Sequence, residues 1–329
     1  MNKILIIVIL VLVSSNSDID TLTFKEFTKF ITKYNKKYTS LNEYMARFEV
    51  FKRNLMAIFE EAPQLPYEIG INQFTDLTDQ EFAKTYLTLS YDAFDYINPY
   101  PVSLNENFEA APTSWDWRSK GYCTPVKNQG SCGSCYAFAA TANLEGLYYK
   151  GKKTLKSLSE QMIVDCDGIN RGCTDGKPDN AFMWLFTAGG IMTDSDYPYT
   201  GVKGKCNMNA GKFINMRIDG FQRLDSTDEN QIKEFLYQIG PVTAALNSRS
   251  LKPYKSGVFD KTTAQCSPEG TNHAVALVGY GHDNSSNKDY WIVRNSWGKT
   301  WGESGYFRIK RGSGTCGINK YIVTAKVSF

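Results

Sequence analysis

Two cysteines three positions apart stand where a helix begins, in the stretch NQGSCGSCYAFAATANL at residues 128–144. Cys132 and Cys135 could form a redox pair, half of a metal site, or a nucleophile beside a structural half-cystine. A metal site needs four ligands, or three and a water molecule, but the chain has no second CxxC and only two histidines, His273 and His282. A thioredoxin-like pair follows a strand in a βαβ unit, whereas this pair follows a turn-rich stretch. Metal and redox roles are therefore disfavoured, and we expect no metal and no cofactor.

A nucleophilic Cys135 explains more of the sequence. A helix N-terminus favours the reactive thiolate, and the residues after Cys135 have a strongly helical character. A thiol nucleophile also needs a base, and the base needs a group that orients it. His273 opens a β-like run and Asn295 ends the next one, so the two side chains could meet on neighbouring antiparallel strands. Taken alone, His273 would be a satisfied core histidine, and Asn295 would be a turn residue before Gly298.

The elements that must position these residues divide the chain near residue 110. Residues 18–110 contain no cysteine and have nine basic against fifteen acidic residues, a net charge of −6. Residues 111–329 have 27 basic against 19 acidic residues, a net charge of +8. The overall net charge of +3 is small, so the chain lacks the strong positive charge that is typical of nucleic-acid-binding proteins. In the acidic part, aromatic and aliphatic residues recur at intervals of three and four, which predicts helices.

Capping patterns predict where several helices begin. A Ser or Thr followed by Glu three positions later is the pattern of a capping box, and it occurs at Thr78–Glu81, Ser157–Glu160 and Ser226–Glu229. An extended stretch is expected at Ile71 and Phe74, and Pro178 predicts another helix that stops at Gly189. Glycine-separated β-branched and aromatic runs after residue 240 predict antiparallel strands. Helices first and strands later predict an α+β fold with two lobes, one helical and one β-barrel-like.

The first residues predict a secretory signal peptide. MNKILIIVILVLVSSNS has one lysine, then ten apolar residues, then small polar residues. The apolar run is shorter than the roughly 20 residues that span a bilayer, so we expect cleavage between about Ser15 and Ser17 and no membrane span. Entry into the secretory pathway permits disulfides. The expected location is a lysosome-like compartment or the extracellular space.

These motifs together resemble the papain-like cysteine proteases of the cathepsin L type. CGSCYAF precedes NHAV and NSWG in the order of that family, and His273 and Asn295 lie 138 and 160 residues after Cys135. SWDWRSKGYCTPVKNQGSCGSC, LSEQMIVDC and WGKTWGESGYFRIKRG also match the family in order. The resemblance covers nearly the whole chain. It implies three parts: a signal peptide at 1–17, an inhibitory propeptide at 18–110 and a papain-like catalytic domain at 111–329.

The acidic part carries both propeptide motifs of that family. The helical motif consists of Glu43, Arg47, Phe51, Asn54 and Ile58, and it departs at Ala62, where the family has asparagine. The second motif, in GINQFTD, consists of Gly70, Asn72, Phe74 and Asp76. Propeptides of the family lie through the cleft in the direction opposite to substrate, which implies that residues 18–110 are an inhibitor within the same chain. Their negative charge, opposite a positive catalytic part, favours such docking over distances of about 8–10 Å.

The resemblance also implies a role for each residue of the site. Cys135 attacks the peptide carbonyl, and His273 takes the thiol proton and delivers one to the leaving amine. Asn295 orients the imidazole ring, and Trp297 covers the His273–Asn295 hydrogen bond. Gln129 donates its side-chain N–H to an oxyanion hole, together with the backbone N–H of Cys135. The implied activity is that of a cysteine endopeptidase made as an inactive zymogen.

The family pattern implies a disulfide framework and a specificity pocket. The implied disulfides are Cys132–Cys173, Cys166–Cys206 and Cys266–Cys316. They leave Cys123 as a buried free thiol or as a cysteine that pairs with another chain. The positions that match the main specificity pocket are Gly176, Lys177, Pro178, Ala245, Ala274 and Tyr321. Small side chains at Ala245 and Ala274 leave room, whereas Tyr321 makes the floor bulky. Lys177 is interpreted as a solvated charge at the rim, or as a group that adds tolerance for polar or acidic side chains.

The remaining expectations concern partners and alternatives. Protein and peptide substrates, the chain's own propeptide and protein protease inhibitors are the expected partners of a monomer. The histidine-bearing loop of the family's carboxypeptidase-like members is not visible, because His273 and His282 are the only histidines. Asn284-Ser285-Ser286 is a glycosylation acceptor pattern in an expected surface loop. A catalytically inactive papain-like binding module is the alternative function, and the presence of all four catalytic residues counts against it.

Overall fold

The computed structural model describes residues 16–89 and 110–329, and it describes side chains from residue 19 onward. Residues 1–15 of the predicted signal peptide and residues 90–109 of the expected propeptide lie outside the described residues. Within 16–89 and 110–329, no helix has the length and apolar character needed to cross a membrane.

Helices occupy the N-terminal segment (residues 16–89) and the first half of the remaining chain. In the N-terminal segment they are α1 (Asn16–Lys33), α2 (Leu41–Glu61) and α3 (Asp79–Tyr86). Further along they are α4 (Cys135–Lys152), α5 (Glu160–Cys166), α6 (Pro178–Ala188) and α7 (Glu229–Ile239). Short 3₁₀ turns lie at Ala62–Gln64, Arg249–Leu251 and Thr315–Gly317.

The capping predictions are confirmed at one helix and wrong at two. Thr78 caps α3, and Glu81 completes a reciprocal capping box with it. The cap of α5 is Ser159, whose hydroxyl accepts from the N–H of Met162 at 2.9 Å, and not Ser157. Glu160 is therefore the first residue of α5 rather than its third.

The second wrong cap lies before α7, where Asp228 accepts from the N–H of Asn230 at 2.9 Å. The Ser226 hydroxyl instead accepts from the N–H of Asp228 at 3.1 Å and stabilises the turn before the helix. The extended stretch expected at Ile71 and Phe74 is a turn, because the Asn72 side chain accepts from the N–H of Phe74 at 3.0 Å. The helix predicted at Pro178 begins there and ends at Gly189, which has a left-handed conformation.

The strands form one large sheet and one small ribbon. They are β1 (Glu68–Ile69), β2 (Trp115–Asp116), β3 (Arg217–Arg223), β4 (Val242–Leu246), β5 (Tyr254–Ser256), β6 (Val258–Phe259), β7 (His273–Asp283), β8 (Lys288–Arg294), β9 (Tyr306–Lys310) and β10 (Ile322–Ser328). The large sheet has the order β3-β10-β4-β7-β8-β9-β6, with β2 paired to β7. Its pairs are antiparallel except β6–β9. The predicted α+β class and late antiparallel strands are confirmed.

Helix α4 is buried on all sides between the two halves of residues 110–329. It is rich in alanine, which allows close approach of neighbouring elements, and a helix that is apolar around its circumference is suited to such a central position. On one side it packs with α5 and α6 around a core that includes Met162, Phe182 and Leu185. On the other side it contacts β7 and β4. This arrangement places the first residue of α4 at the junction of a helical lobe and a β lobe.

The N-terminal segment folds on its own core and also docks on the β lobe. Helices α1 and α2 pack around Phe27, Phe30 and Phe51. Strand β1 pairs with β5 of the β lobe, with Ile69 opposite Tyr254. Beyond this ribbon the segment runs along the junction of the two lobes and contacts the predicted catalytic residues.

Candidate active site

The ends of two paired strands bring the predicted base and its orienting group together. His273 opens β7, and Asn295 directly follows β8, which pairs with β7. The Nε2 of His273 lies 2.8 Å from the Oδ1 of Asn295, and both residues are buried. The Trp297 ring lies over the imidazole with 4.8 Å between ring centroids. This stacking excludes water from the hydrogen bond and fixes the plane of the imidazole.

Cys135 occupies the first turn of α4, where unpaired helical N–H groups favour a negative charge. In this structure the thiol is fully buried among Ala139, Ala274 and Leu89, the last of these from the N-terminal segment. Burial raises the pKa of Cys135 above its usual range. The thiolate expected from the helix N-terminus is therefore disfavoured while the N-terminal segment covers the thiol.

The same cover acts on the imidazole. Burial lowers the pKa of His273 to about 4, although the hydrogen bond with Asn295 acts in the opposite direction. A neutral thiol and a neutral imidazole are the forms that a dry, low-dielectric environment favours. The pair is thus held in its uncharged and unreactive state.

Gln129 lies in the turn that precedes α4. Its Nε2 donates to the carbonyl of Cys132 at 3.0 Å, and its Oε1 accepts from the hydroxyl of Ser296 at 2.6 Å. The main chain of Gln129 also donates to the carbonyl of Ser296 at 2.9 Å. Sequence reasoning missed Ser296, although it stands inside the NSWG motif directly after Asn295. One motif thus carries the orienting asparagine, the hydroxyl that holds Gln129 and the indole cover.

Three disulfides join Cys132–Cys173, Cys166–Cys206 and Cys266–Cys316, the pairs that the resemblance implies. Cys132 is therefore bonded to Cys173 beside the site, where the N–H of Gly133 also donates to the Cys173 carbonyl at 2.8 Å. Cys123 and Cys135 are the free thiols among the described residues. Cys123 is only partly buried, and burial raises its pKa to about 11.

The end of the N-terminal segment lies in the cleft between the lobes. The carbonyl of Thr88 accepts from the N–H of Gly176 at 3.3 Å, and the N–H of Leu89 donates to the carbonyl of Asn272 at 3.1 Å. The Thr88 hydroxyl lies 4.0 Å from the Cys135 sulfur. Leu89 and Gly176 form a parallel bridge. The segment therefore uses main-chain groups on both walls of the cleft, and it leaves no room for another peptide at the thiol.

The residues expected to form a specificity pocket come from four places in the fold: the start of α6, β4, β7 and the residue before β10. Gly176 and Lys177 precede α6, which Pro178 opens, while Ala245 in β4 is paired with Ala274 in β7. The Tyr321 hydroxyl accepts from the N–H of Asp179 at 3.3 Å. These contacts hold the floor of the region against α6.

One expectation about this region is wrong. Lys177 was expected as a solvated charge at the rim, but only 7% of it is exposed. Its main chain is bound to the side chain of Asn170, with Lys177 N–H donating to Oδ1 at 2.8 Å and the Lys177 carbonyl accepting from Nδ2 at 3.1 Å. These bonds fix the backbone of Lys177 at the N-cap of α6, and the N-terminal segment bridges the neighbouring Gly176, so the position is covered in this structure.

A cluster of buried charges behind the site was not predicted from the sequence. Lys127 Nζ lies 2.7 Å from Glu160 and 3.0 Å from Glu145, and Arg294 lies 3.5 Å from Glu145. Burial opposes ionisation of Glu145, but Lys127 and Arg294 lower its pKa, whereas burial raises the pKa of Glu160. The cluster joins the turn before α4, α4 itself, α5 and the end of β8. It fixes the relative positions of the elements that carry Gln129, Cys135 and Asn295.

Three aromatic residues of the N-terminal segment, Phe74, Phe82 and Tyr86, pack around Trp297. Their ring centroids lie 5.4, 5.3 and 6.4 Å from that of Trp297. Gln73 donates to the carbonyl of Trp297 at 2.7 Å. The N-terminal segment therefore covers the indole that itself covers the imidazole. Within the described residues, no group of three or more His, Cys, Asp or Glu is arranged to hold a metal ion.

Comparisons with known proteins agree with this geometry. Residues 111–326 match the papain family cysteine protease domain, and residues 27–82 match the cathepsin propeptide inhibitor domain. Cathepsin F of Mus musculus is 40% identical over 306 residues, which cover 92% of this chain but 64% of the mouse protein. A cathepsin L-like proteinase of Fasciola hepatica is 40% identical over 294 residues, which cover 87% of this chain and 88% of the fluke protein.

Solved precursor structures have the same fold. Digestive procathepsin L2 from the larval midgut of Tenebrio molitor superposes with a TM-score of 0.85 at 33% identity, covering 92% of this chain and 99% of the beetle protein. A recombinant stem bromelain precursor superposes with a TM-score of 0.83 at 36% identity, covering 92% of this chain and 98% of the other. The catalytic constellation, the cleft-filling N-terminal segment and these matches lead to one conclusion. The chain belongs to the papain family of cysteine proteases and carries the family's propeptide inhibitor domain in the same polypeptide.

Proposed function

We propose that this chain is the latent precursor of a cysteine endopeptidase, with a propeptide at about residues 18–110 and a catalytic domain at 111–329. The observation that carries the proposal is the convergence of Cys135, His273, Asn295 and Gln129 at the lobe junction, under a strand of the same chain. A binding module would not need a buried His–Asn pair beside a free thiol at a helix N-terminus. It would also not need a device that covers them.

The chemistry follows from the positions of these groups once the cleft is open. His273 accepts the thiol proton, and the Cys135 sulfur attacks the substrate carbonyl carbon to form a tetrahedral intermediate. The negative oxygen of that intermediate is stabilised by the Gln129 side-chain N–H and the Cys135 backbone N–H. His273 then donates its proton to the leaving amine, and the C–N bond breaks. A water molecule, deprotonated by His273, releases the acyl group and restores the thiol.

The strand in the cleft supports a proposal for substrate preference. Leu89 packs against Cys135, Ala139 and Ala274. Its N–H donates to the Asn272 carbonyl, and the carbonyl of the preceding Thr88 accepts from the N–H of Gly176. Small residues at Ala245 and Ala274 leave space for an aliphatic side chain. We therefore expect the enzyme to cleave peptides in which the second residue before the scissile bond is leucine or a similar aliphatic residue.

The proposed cellular setting is the secretory pathway, in a lysosome-like compartment or outside the cell. Three disulfides within the catalytic part support an oxidising setting. Asn284 lies in the turn between β7 and β8 and is exposed, which supports its use as a glycosylation acceptor. A secreted precursor would meet protein substrates and protein protease inhibitors there.

A thiol-directed active-site probe tests the proposed function. Full-length protein, incubated at acid pH to open the cleft, is treated with a peptide-based electrophile carrying leucine at the second position. We expect one equivalent of label on Cys135, loss of peptide hydrolysis in parallel, and no label in Cys135→Ala. A chain that is processed and folded but neither hydrolyses peptides nor takes the label would identify the inactive binding module.

A further inference from the structure

The hydroxyl of Tyr199 joins two distant points of the turn that builds the oxyanion hole. Tyr199 lies in the segment between α6 and β3, and it is half-buried beside Phe138, with 4.9 Å between ring centroids. Its hydroxyl lies 2.8 Å from the carbonyl oxygen of Gln129 and 2.8 Å from the hydroxyl of Ser134. These two residues are the beginning and the end of the turn before α4.

The direction of both hydrogen bonds follows from counting protons. A carbonyl only accepts, so the single proton of the Tyr199 hydroxyl is donated to Gln129. The Tyr199 oxygen is then the acceptor for Ser134, whose hydroxyl donates to it. The Cys132 carbonyl is a second acceptor for the Ser134 proton, but at 3.5 Å it is more distant than the Tyr199 oxygen at 2.8 Å, so the bridge has one preferred arrangement. Burial raises the pKa of Tyr199 to about 12, so the hydroxyl keeps its proton over the whole range in which a protease of this family would work.

The bridged residues are those that present the oxyanion donors. Gln129 carries the side-chain N–H, and the peptide bond between Ser134 and Cys135 supplies the backbone N–H. The turn between them contains Gly130, which has a φ of +60° and open space around its Cα, and its middle is anchored by the Cys132–Cys173 disulfide. Glycine makes such a backbone easy to deform. Gln129 is also held by Ser296 and by the Cys132 carbonyl, but the Tyr199 bridge joins the two ends of the turn directly and so limits changes in their separation.

We propose that Tyr199 is a positioning residue that fixes the distance between the two oxyanion donors through its bridge from Gln129 to Ser134. The inference rests on the proposed function, because it concerns the stabilisation of a tetrahedral intermediate. No described hydrogen bond or ring contact joins Tyr199 to the thiol or to the imidazole, and its link to Cys135 is an electrostatic interaction only. We therefore expect the main effect of Tyr199 on the oxyanion.

The test compares Tyr199→Phe with a matched control in the same segment. Tyr197→Phe also removes a buried hydrogen-bonding hydroxyl, since Tyr197 donates to Asp165 at 2.8 Å, but this bond lies away from the turn. Both variants are made in the full chain and activated in the same way as wild type. For Tyr199→Phe we expect kcat for a peptide amide substrate to fall about 10-fold with KM unchanged, less than the 10²–10³-fold typical of losing an oxyanion donor. Tyr197→Phe should stay within about 2-fold of wild type.

A second reaction separates positioning of the oxyanion from damage to the site. Alkylation by iodoacetamide needs the activated thiol but forms no oxyanion, and its rate is followed by the loss of activity. We expect the inactivation rate of Tyr199→Phe to stay within about 2-fold of wild type while hydrolysis falls. Equal losses in alkylation and hydrolysis would overturn the proposal, and so would equal kinetics for Tyr199→Phe and Tyr197→Phe.

Ser134→Ala keeps the proposal falsifiable should Tyr199→Phe fold poorly. It removes the donor at the other end of the bridge, and we expect a smaller loss of kcat with unchanged alkylation. In the double variant the two losses should be less than additive, because both break one bridge; full additivity would contradict the proposal. Failure of the proposed function would appear differently, as a wild-type chain that hydrolyses no peptide at all.

Discussion

At the residue scale, the two cysteines of SCGSC have separate tasks because they have separate partners. Cys132 is bonded to Cys173, and Cys135 is free at the start of α4. The Cys135 thiol contacts Ala274, which is next to His273 in the chain. Cys132 lies three residues earlier, in the loop before α4. One residue is therefore available for chemistry, and the other holds the loop that presents it.

This division predicts different defects in two serine variants. Cys135→Ser should lower kcat/KM by more than about 10³-fold, because nucleophile and base act as a unit, and should leave the unfolding transition unchanged. Cys132→Ser should lower the free energy of unfolding by about 2–5 kcal/mol. Urea unfolding and peptide hydrolysis of both proteins check the prediction. Two equally stable variants with equal kinetic defects would contradict it.

The two histidines are predicted to differ in the same way. His273 is buried against Asn295, whereas His282 is exposed near the end of β7 and bonded to Asp289 at 2.8 Å. His273→Ala should abolish peptide hydrolysis, and His282→Ala should remain near wild type, since surface substitutions usually change stability by less than about 0.5 kcal/mol. Steady-state kinetics of both proteins decide the assignment. A strong loss in His282→Ala would show that the base has been misassigned.

Site residues with a distinctive type and spacing could be predicted from the sequence. Residues whose role depends on a tertiary contact with another part of the chain could not. The proposed nucleophile, Cys135, and the proposed base, His273, lie in distinctive motifs, and the pairing of β7 with β8 brings His273 and Asn295 together. Ser296 and Tyr199 are ordinary polar residues whose value depends on a contact with Gln129 from another part of the chain. Lys177 was placed wrongly because a lysine is solvated by default, and its main-chain contacts with Asn170 are not visible in sequence.

At the scale of elements, the turn before α4 is held by buried charged residues whose pairing could not be predicted from the sequence. Glu145 and Glu160 face each other with Lys127 between them, and 1% of each carboxylate side chain is exposed. Helix caps show the same limitation on a smaller scale. Ser157 and Ser159 both precede the apolar run of α5, and the tertiary contact of Ser159 with Tyr197, at 2.6 Å, selects the second.

Lys127→Met should be strongly destabilising. It leaves Glu145 and Glu160 without their shared cation, and breaking a buried ion pair from one side typically costs about 3–5 kcal/mol. Lys320→Met is a suitable control, because Lys320 pairs with an exposed Glu269, and exposed pairs contribute about 0–1 kcal/mol. Chemical unfolding of the Cys135→Ser precursor measures both without interference from self-cleavage. Equal stabilities would show that the buried cluster does not hold the lobes.

Within the propeptide, the two sequence motifs meet each other. Asp76 is bonded to Lys36 at 2.8 Å and to Tyr38 at 3.0 Å, and Arg47 donates to the Asp76 carbonyl at 3.1 Å. Asp76→Asn removes the charge opposite Lys36 and should weaken the propeptide fold. In the Cys135→Ser background we expect the propeptide to be released at a higher pH than in the parent, as followed by tryptophan fluorescence. If the release curve were unchanged, the Asp76 carboxylate would have no role in holding the propeptide on the catalytic domain.

At the scale of the whole molecule, the pKa values of Glu81 and His273 predict the pH at which acid opens the precursor. Arg47 lowers the pKa of Glu81 from 4.5 to about 2, so the stabilisation from that pair is present above pH 4.5 and is lost only as the pH falls towards about 2. In the covered state, burial lowers the pKa of His273 from 6.5 to about 4. The covered state is therefore favoured above pH 6.5 and weakens as the pH falls from 6.5 towards about 4. His273, and not Glu81, titrates in the range of mild acid.

This assignment is tested without catalysis. In the Cys135→Ser background, His273→Gln replaces the titrating ring with a neutral side chain, so propeptide release should move to lower pH. Tryptophan fluorescence is a suitable signal, because Phe74, Phe82 and Tyr86 leave Trp297 on release. A release curve identical to that of Cys135→Ser would show that protonation of His273 does not drive opening.

The most direct test of the account is peptide hydrolysis by the purified full-length chain before and after acid treatment, with the new N-terminus sequenced. At about pH 7 the covered thiol and neutral imidazole should give no turnover. Incubation below about pH 5 should produce activity together with an N-terminus between about Asn105 and Ala111, while Cys135→Ser stays uncleaved and inactive. A precursor that is fully active at neutral pH with residues 16–89 still attached would contradict the conclusion that this segment keeps the protease latent.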